Sequence, residues 1–508
     1  VILWTRVTPA MEAVPGSGLG PEVTVDWTVS RDPELQDVIR SGQAIATAAR
    51  DHTVHVDPWG LAPDTEYFFG FTVTDGPHAG ARSPIGRTRT APVPGAQVAE
   101  LTLAVGSCAN WESGFFTAYA DIARRGRAGE LDLMVFLGDY IYEYGQGEYS
   151  GFGPFRLVEP AHETLTLADY RTRYGLYRTD PALRDAHGAL PWVVVWDDHE
   201  IANNNWREGA ENHDPAAEGP WEARRAAAMQ AYFEWLPVRA VSPSAGGHLY
   251  RSFRYGDLVE LTMLDLRTYR DEEASRFDFA AFIDPARRLL GTEQFQWLRG
   301  QIGTSTAVWN VLGSSVMFSP LNLVTLRQDE RTRPVLEFLA EHQVGGSVRP
   351  AAQAGGMSFN PDQWDGYAAA RQAVTELLVE RGSHVLVLTG DIHSEWVHSL
   401  SHQGREFGCE LVTSSISAPN VDELLGLPVD NPLSQLAESY LGAANPQLRH
   451  VDLDQHGYAV ARIRREEVLL QFWRTPDVTS PTGQMNLARE LLWRSGRGFG
   501  EGLNAEGE

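Results

Sequence analysis

Over roughly the first 90 residues, apolar and polar positions alternate in short runs. "VTVDWTVS", "HTVHVDPWG" and "EYFFGFTVT" are separated by turn residues in "PGSGLGP", "APDT" and "DGPHAG". A period of two in such short runs predicts half-buried strands, so this stretch reads as an all-β module. "TRTAPVPGAQ", residues 88–97, is rich in Pro and Gly and reads as a linker. From about residue 98 the apolar runs become continuous: "LTLAVGSCA", "LDLMVFLGDYIYE", "PWVVVWDDHE", "LVELTMLDLR", "AVWNVLGSS" and "HVLVLTGDIHS". Helical patterns such as "WEARRAAAMQAYFEWL" and "WDGYAAARQAVTELLVERG" lie between several of them. Such alternation predicts sheet buried on both faces by helices, an α+β/α/β class overall. After residue 405, "CELVTSSIS", "GYAVARIRR" and "EVLLQFWRT" read as further strands, and "MNLARELLWRSG" as a closing helix.

Composition adds limits. A chain of 508 residues exceeds one ordinary domain. A hydrophobic content of 43% with 21% charged residues is that of a globular protein. The formal charge of −25 argues against a nucleic-acid-binding surface, which needs a basic face. Cys108 and Cys409 allow one disulfide at most. No window approaches the roughly 18 apolar residues of a membrane span. The opening "VILWTRV" reads as already inside a strand. A precursor that begins earlier, with a targeting segment since removed, is therefore expected.

The chemistry gathers where strands end, which is where open α/β sheets hold their ligands. One run ends in Cys108, and another in Asp139 with Tyr142 three residues on; a third ends in Asp197, Asp198 and His199, a fourth in Asp391 and His393. Any one of these has a plainer reading: Cys108 as a small buried apolar residue, Tyr140, Tyr142 and Tyr144 as packing aromatics, Asn203 to Asn205 as surface turns. Four such ends in one chain weaken those readings together. Asp139 and Tyr142 fall on one side of a turn, and Asp391 and His393, two apart in an extended segment, point the same way. Carboxylates crowded at buried ends repel one another unless cations neutralise them. The hard oxygen donors suit calcium, magnesium or manganese, whereas a thiolate and a phenolate with His and Asp suit ferric iron. His52 and His55 lie away from these ends and read as structural.

With "GSCAN", "FLGDYIYE", "WVVVWDDHE", "DLRTYR", "LTGDIHSEW" and "HGY" in this order, the chain resembles the PhoD-type alkaline phosphatases of the metallophosphatase-like fold. The resemblance implies a fibronectin-like β-sandwich over 1–94, for which "LAPDTEYFFGF" supplies the corner tyrosine. It implies an αββα metallophosphatase domain over 95–508, with a C-terminal lid helix at about 484–495 carrying Trp493. Cys108, Asp139, Tyr142 and His393 would hold one Fe3+, with Asp139 bridging to calcium. Asp198, Asn204 and Asp391 would complete a site for one or two Ca2+, although the register leaves either aspartate of the pair and any of the three asparagines open. His199 would serve the leaving group, with Asp198 and Cys108 in the same catalytic set. The implied reaction is hydrolysis of phosphate monoesters or diesters by attack of a metal-bound hydroxide on phosphorus. The alternative is a phospholipase D of the same family, releasing the head-group alcohol; "HETLTLADYR" and "GAENHD" resemble that branch, and Phe152, Phe155 and Leu157 would meet the lipid. A secreted monomer exported by the twin-arginine route is implied as well, its signal lying outside this chain. A binding protein on a dead scaffold would show broken ligand motifs, and these motifs are intact.

Overall fold

The structure, a computed structural model, describes residues 1–275, 278–322, 360–382 and 384–500. The N-terminal residues make two small antiparallel sheets. One pairs Leu3–Arg6 with Thr53–Val56; the other runs in the order Val38–Ala46, Val23–Ser30, Glu66–Val73, Gly86–Arg89. Alternate residues of both, among them Leu3, Val25, Val29, Val54, Tyr67 and Phe71, bury into one shared core, which accounts for the period of two. The Tyr67 hydroxyl accepts the Ala62 amide N–H at 2.9 Å and fastens the corner before its strand.

Two seven-stranded mixed sheets form the rest. The first is ordered Gly498–Phe499, Asn486–Arg494, Glu467–Arg474, Gly457–Arg464, Glu100–Gly106, Leu133–Phe136, Trp192–Val194. The second is ordered Arg251–Tyr255, Val259–Met263, Trp309–Ser314, His384–Thr389, Arg405–Val412, Glu395–His402, Leu448–Asp452. Leu103 and Val105 of the first share a core with Leu261, Val311, Leu386 and Leu388 of the second. The intervening Val385 and Val387 bury instead with Leu298 and Leu378 of the helices Gly291–Thr304 and Ala368–Arg381. Burial on both faces is why these strands read as continuous apolar runs. Cys108 and Cys409 are both buried as free thiols, so the disulfide that the sequence allows does not form.

The expected lid helix at about 484–495 is instead the strand Asn486–Arg494, paired antiparallel with Glu467–Arg474. Trp493 is 2% exposed, edge-on to Trp309 at 5.3 Å, and its indole N–H donates to Glu406 at 2.6 Å. The helix preference of Leu, Ala, Arg and Glu differs by only about 0.7 kcal/mol per residue at most. A run of ladder hydrogen bonds and a buried indole outweigh that. Trp493→Ala is therefore expected to lower unfolding stability by about 3–5 kcal/mol, with kcat/KM per folded molecule unchanged. Urea melts beside an activity assay check this; unaltered stability with altered kinetics would contradict the strand assignment.

Candidate metal centre

Each predicted strand end lies on the same edge of its sheet, because the strands that carry them run parallel. Cys108 follows Glu100–Gly106, Asp139 follows Leu133–Phe136, Asp197 to His199 follow Trp192–Val194, and Asp391 follows His384–Thr389. The backbone there is unusual. Cys108 (φ 61°), Asp139 (57°), Asn204 (51°), Asp391 (70°) and His393 (54°) all adopt left-handed conformations. The extended geometry expected for Asp391 and His393 is thus replaced by a tight bend. Each such residue costs on the order of 1–3 kcal/mol, and strain of this kind clusters at functional sites. Gly138 (φ 104°) allows the close approach of two of these loops, since a Cβ there would lie 2.4 Å from the Asp197 backbone nitrogen.

Donor atoms fall within 4.8 Å of one another in three overlapping groups: Cys108, Asp139 and His393; Asp139, Asp198 and His199; Asp197, Asp198 and Asp391. The Tyr142 hydroxyl donates to Asp139 Oδ2 at 3.1 Å and lies 3.1 Å from His393 Nε2. His393 Nδ1 sits 2.7 Å from the Pro419 carbonyl oxygen, which requires a proton on Nδ1 and leaves Nε2 facing the centre. Tyr142 stacks on His199 with ring centroids 4.2 Å apart, and Tyr149 stacks on Tyr142 at 5.8 Å.

Cations fit this donor set. Asp139 Oδ1 is buried with no hydrogen-bond partner among the described residues. Burial first, and neighbouring Asp139 second, push the Cys108 thiol and the Tyr142 phenol well above their usual values. Burial likewise pushes Asp139 and Asp391 up, with Asp198 adding to the first and Asp197 to the second. A cluster that is costly to ionise alone, with an oxygen left unsatisfied, is satisfied by bound metal. Cys108, Asp139, Tyr142 and His393 offer thiolate, carboxylate, phenolate and imidazole on one side. Asp198 and Asp391 offer hard oxygens on the other.

Not every carboxylate is free to bind a cation. Both oxygens of Asp197 accept from Arg267, Nε and Nη2 each at 2.7 Å. Arg267 is fully buried; its Nη1 donates to Asp362 at 2.8 Å and its Nη2 reaches Asp391 at 3.3 Å. Arg270 adds a second guanidinium to Asp362 at 2.6 Å. Burial raises Asp198, but Arg267 and His199 outweigh it and hold that carboxyl below its usual range. The Asp198 oxygens accept the N–H of His199 at 3.0 Å and of Asn204 at 2.7 Å. Asn204 is thereby fastened onto Asp198, while its side-chain amide and that of Asn203 donate to Glu211. The Asn205 side chain is buried with neither polar atom bonded among the described residues.

Two family models match the chain, that of the PhoD-like phosphatases over residues 103–472 and that of their N-terminal domain over 1–92. The chain belongs to the PhoD-like phosphatases. It is similar to alkaline phosphatase D of Bacillus subtilis (strain 168), with 37% identity over 464 residues, 87% of this chain and 72% of that protein. A solved structure of PhoD superposes with a TM-score of 0.83 at 32% identity, covering 98% of this chain and 88% of the other. Purple acid phosphatase PPD1 of yellow lupin (Lupinus luteus) reaches a TM-score of 0.50 at 12% identity, over 93% of this chain and 69% of that one, a likeness of fold alone. The family makes this enzyme a metal-dependent hydrolase of phosphate esters, the reaction class its motifs implied.

Several residues that build the centre were not singled out from the sequence. Glu200 accepts the amide N–H of Asp139, Tyr140 and Asp197 at 3.1, 2.7 and 2.9 Å, tying two loops together, while burial pushes its carboxyl up to about 7. Glu143 sits 2.7 Å from His199 Nδ1 and accepts the Asn203 N–H at 2.6 Å. Both lie inside the quoted "YIYE" and "DDHE", and Arg267 inside "DLRTYR". Asp362 and Gln363, the latter donating to Asp391 at 2.8 Å, carry no signal in "NPDQW".

Proposed function

We propose that the enzyme hydrolyses phosphate monoesters and diesters at a mixed centre, with one ferric ion on Cys108, Asp139, Tyr142 and His393. Calcium would lie on Asp139, Asp198, Asn204 and Asp391. The observation that carries this reading is the buried cluster around Asp139, whose Oδ1 has no partner among the described residues. Between the paired aspartates, Asp198 is the ligand and Asp197 the anchor, since Arg267 occupies both Asp197 oxygens. When bound, such ions supply Lewis acidity, neutralising charge on the phosphoryl oxygens and acidifying water.

The chain's own groups do the rest. His199 holds a proton on Nδ1 against Glu143, which fixes the ring beside Asp139 and Asp198 and leaves Nε2 free of that bond. Burial lowers its proton affinity, yet Asp198 and Glu143 outweigh burial and raise it well above the ordinary value. With Nδ1 engaged by Glu143, Nε2 is the nitrogen that would hold a proton for the leaving alcohol oxygen. Tyr142 and Tyr149 stack against His199 and its surroundings and hold that orientation. The N-terminal sheets, read as a fibronectin-like sandwich over 1–94, form a unit beside a catalytic domain over 95–508. A site loaded with iron and calcium before export fits a secreted monomer that leaves the cell folded by the twin-arginine route. Extracellular enzyme lacking both metals would contradict that route.

A substrate panel on protein of measured iron and calcium content tests the function. Nitrophenyl phosphate and its bis-ester are expected to be turned over in proportion to metal content, and a chelator to abolish both activities. Turnover of phosphatidylcholine alone, with release of choline, would replace this reading by the phospholipase one. No turnover of any of the three by metal-replete protein would overturn both, and full activity without iron would overturn the metal assignment.

A further inference from the structure

A cavity of about 740 Å³ lies away from the metal centre, between the N-terminal sheets and the ends of the helices Leu167–Tyr177 and Pro181–Ala189. Its apolar walls include Trp4, Phe69, Phe71 and Trp235. Its charged lining is of one sign: arginines line it, and no Asp or Glu is among the described residues that do. In a chain of net charge −25 that is the reverse of what composition would place there.

Arg178 is the decisive residue. It is 9% exposed, yet no carboxylate pairs with it among the described residues. Its Nη2 donates to the Trp235 carbonyl at 3.0 Å, and its Nε is buried without a partner among the described residues. The guanidinium lies over the Trp4 ring at 4.6 Å and the Tyr140 ring at 5.5 Å. Arg171 and Arg156 are instead paired with Glu234 at 2.7 Å and Asp180 at 2.8 Å, while the fully buried Arg173 has no carboxylate but donates to the carbonyls of Tyr142, Glu159 and Pro160, where Arg178 has one carbonyl. A buried charge without a counter-ion is expensive, and cation–π contacts return only part of the lost hydration. Arg82 and Arg184, exposed and without ion pairs among the described residues, also line the cavity. Arg6 is partly matched already by Asp51 at 3.5 Å.

We propose that this cavity is a second binding site, for a small organic anion with one charged head and an aromatic or aliphatic body. The head replaces the missing counter-ion of Arg178, with Arg82 and Arg184 adding attraction; the body lies against Phe69, Phe71 and Trp235. The volume falls within the range of roughly 300–1,000 Å³ common for sites that enclose such ligands. The site is separate from the reaction and needs no metal.

Titrating the metal-replete protein with anilinonaphthalene sulfonate tests this, with uncharged N-phenylnaphthylamine as the matched body. The sulfonate is expected to bind saturably at one site, and the neutral compound about tenfold or more weaker, a difference near 1.4 kcal/mol. Arg178→Gln should raise the sulfonate Kd at least about tenfold and leave the neutral compound unaffected. The double variant Arg82→Ala/Arg184→Ala changes only exposed side chains and should weaken the sulfonate severalfold; it decides alone if Arg178→Gln does not fold. Equal affinity for the two compounds, or sulfonate binding that the variants leave unmoved, would overturn the proposal.

Discussion

Arg267→Met should leave an enzyme that is both less stable and poor in metal. Methionine fills most of the space but removes the fork that now joins Asp197, Asp362 and Asp391. Taking one partner from a buried ion network costs about 3–5 kcal/mol, because the remaining charges stay buried and unpaired. The loss reaches the chemistry through position. Asp197 lies next to Asp198 in the chain, and Asp391 touches Arg267 directly, so both sides of the proposed hard-cation site would lose an anchor. A supporting group of this kind is worth about 10–100-fold in metal affinity or activity. Calcium content after dialysis, kcat/KM and a urea melt would each move. Arg267→Lys keeps the charge but cannot grip Asp197 with two parallel bonds, so it should recover part of the stability and less of the metal affinity. Wild-type metal content and activity in the methionine variant would mean that the cations alone neutralise these carboxylates.

Why Arg267 stayed out of sight in the sequence, while Asp139 did not, is a matter of range. Asp139, Cys108 and His393 end apolar runs, and residue type at a strand end is local information. The partners of Arg267 lie 70, 95 and 124 residues away, and nothing in "DLRTYR" names them. The choice between Asp197 and Asp198 is open in the sequence for the same reason, since the guanidinium that holds both Asp197 oxygens is remote along the chain. Local geometry misled where it relied on a regular backbone. Asp391 and His393 share the site through a left-handed bend rather than through strand alternation. The segment Asn486–Arg494 has helix-forming residues, yet it is a strand because a partner edge and the indole pocket of Trp493 await it. Most strands buried on two faces, by contrast, were legible, because their apolar runs follow directly from the two cores that Leu386 and Val387 enter on alternate sides; Glu395–His402, where Glu, His and Ser interrupt the run, was not read.

The second large effect is one of opposite signs. Asp139→Asn should lower kcat/KM by at least about a hundredfold to a thousandfold, the scale of deleting one preorganised electrostatic contact, while stabilising the protein once its metals are stripped. In the metal-free chain, burial pushes the Asp139 carboxyl up, and Asp198 adds repulsion against the opposing pull of His199. A carboxyl whose folded pKa exceeds its unfolded value gives stability that is complete below about pH 4 and lost as pH rises through the raised value. Metal-free wild type should therefore weaken steadily from about pH 4 upward. Asparagine cannot ionise, so the variant escapes that loss and is the more stable of the two at pH 8, with little difference at pH 4. With metals restored the order is expected to reverse. The carboxylate is then neutralised by what it binds, and the amide forfeits that binding free energy. Thermal melts of both proteins at pH 4 and pH 8, with chelator and with metals, give the four comparisons needed. A metal-free asparagine variant less stable than wild type at pH 8 would show that Asp139 is held by the fold for its own sake. The predicted crossing instead marks it as a residue whose cost is met only by the ions it gathers.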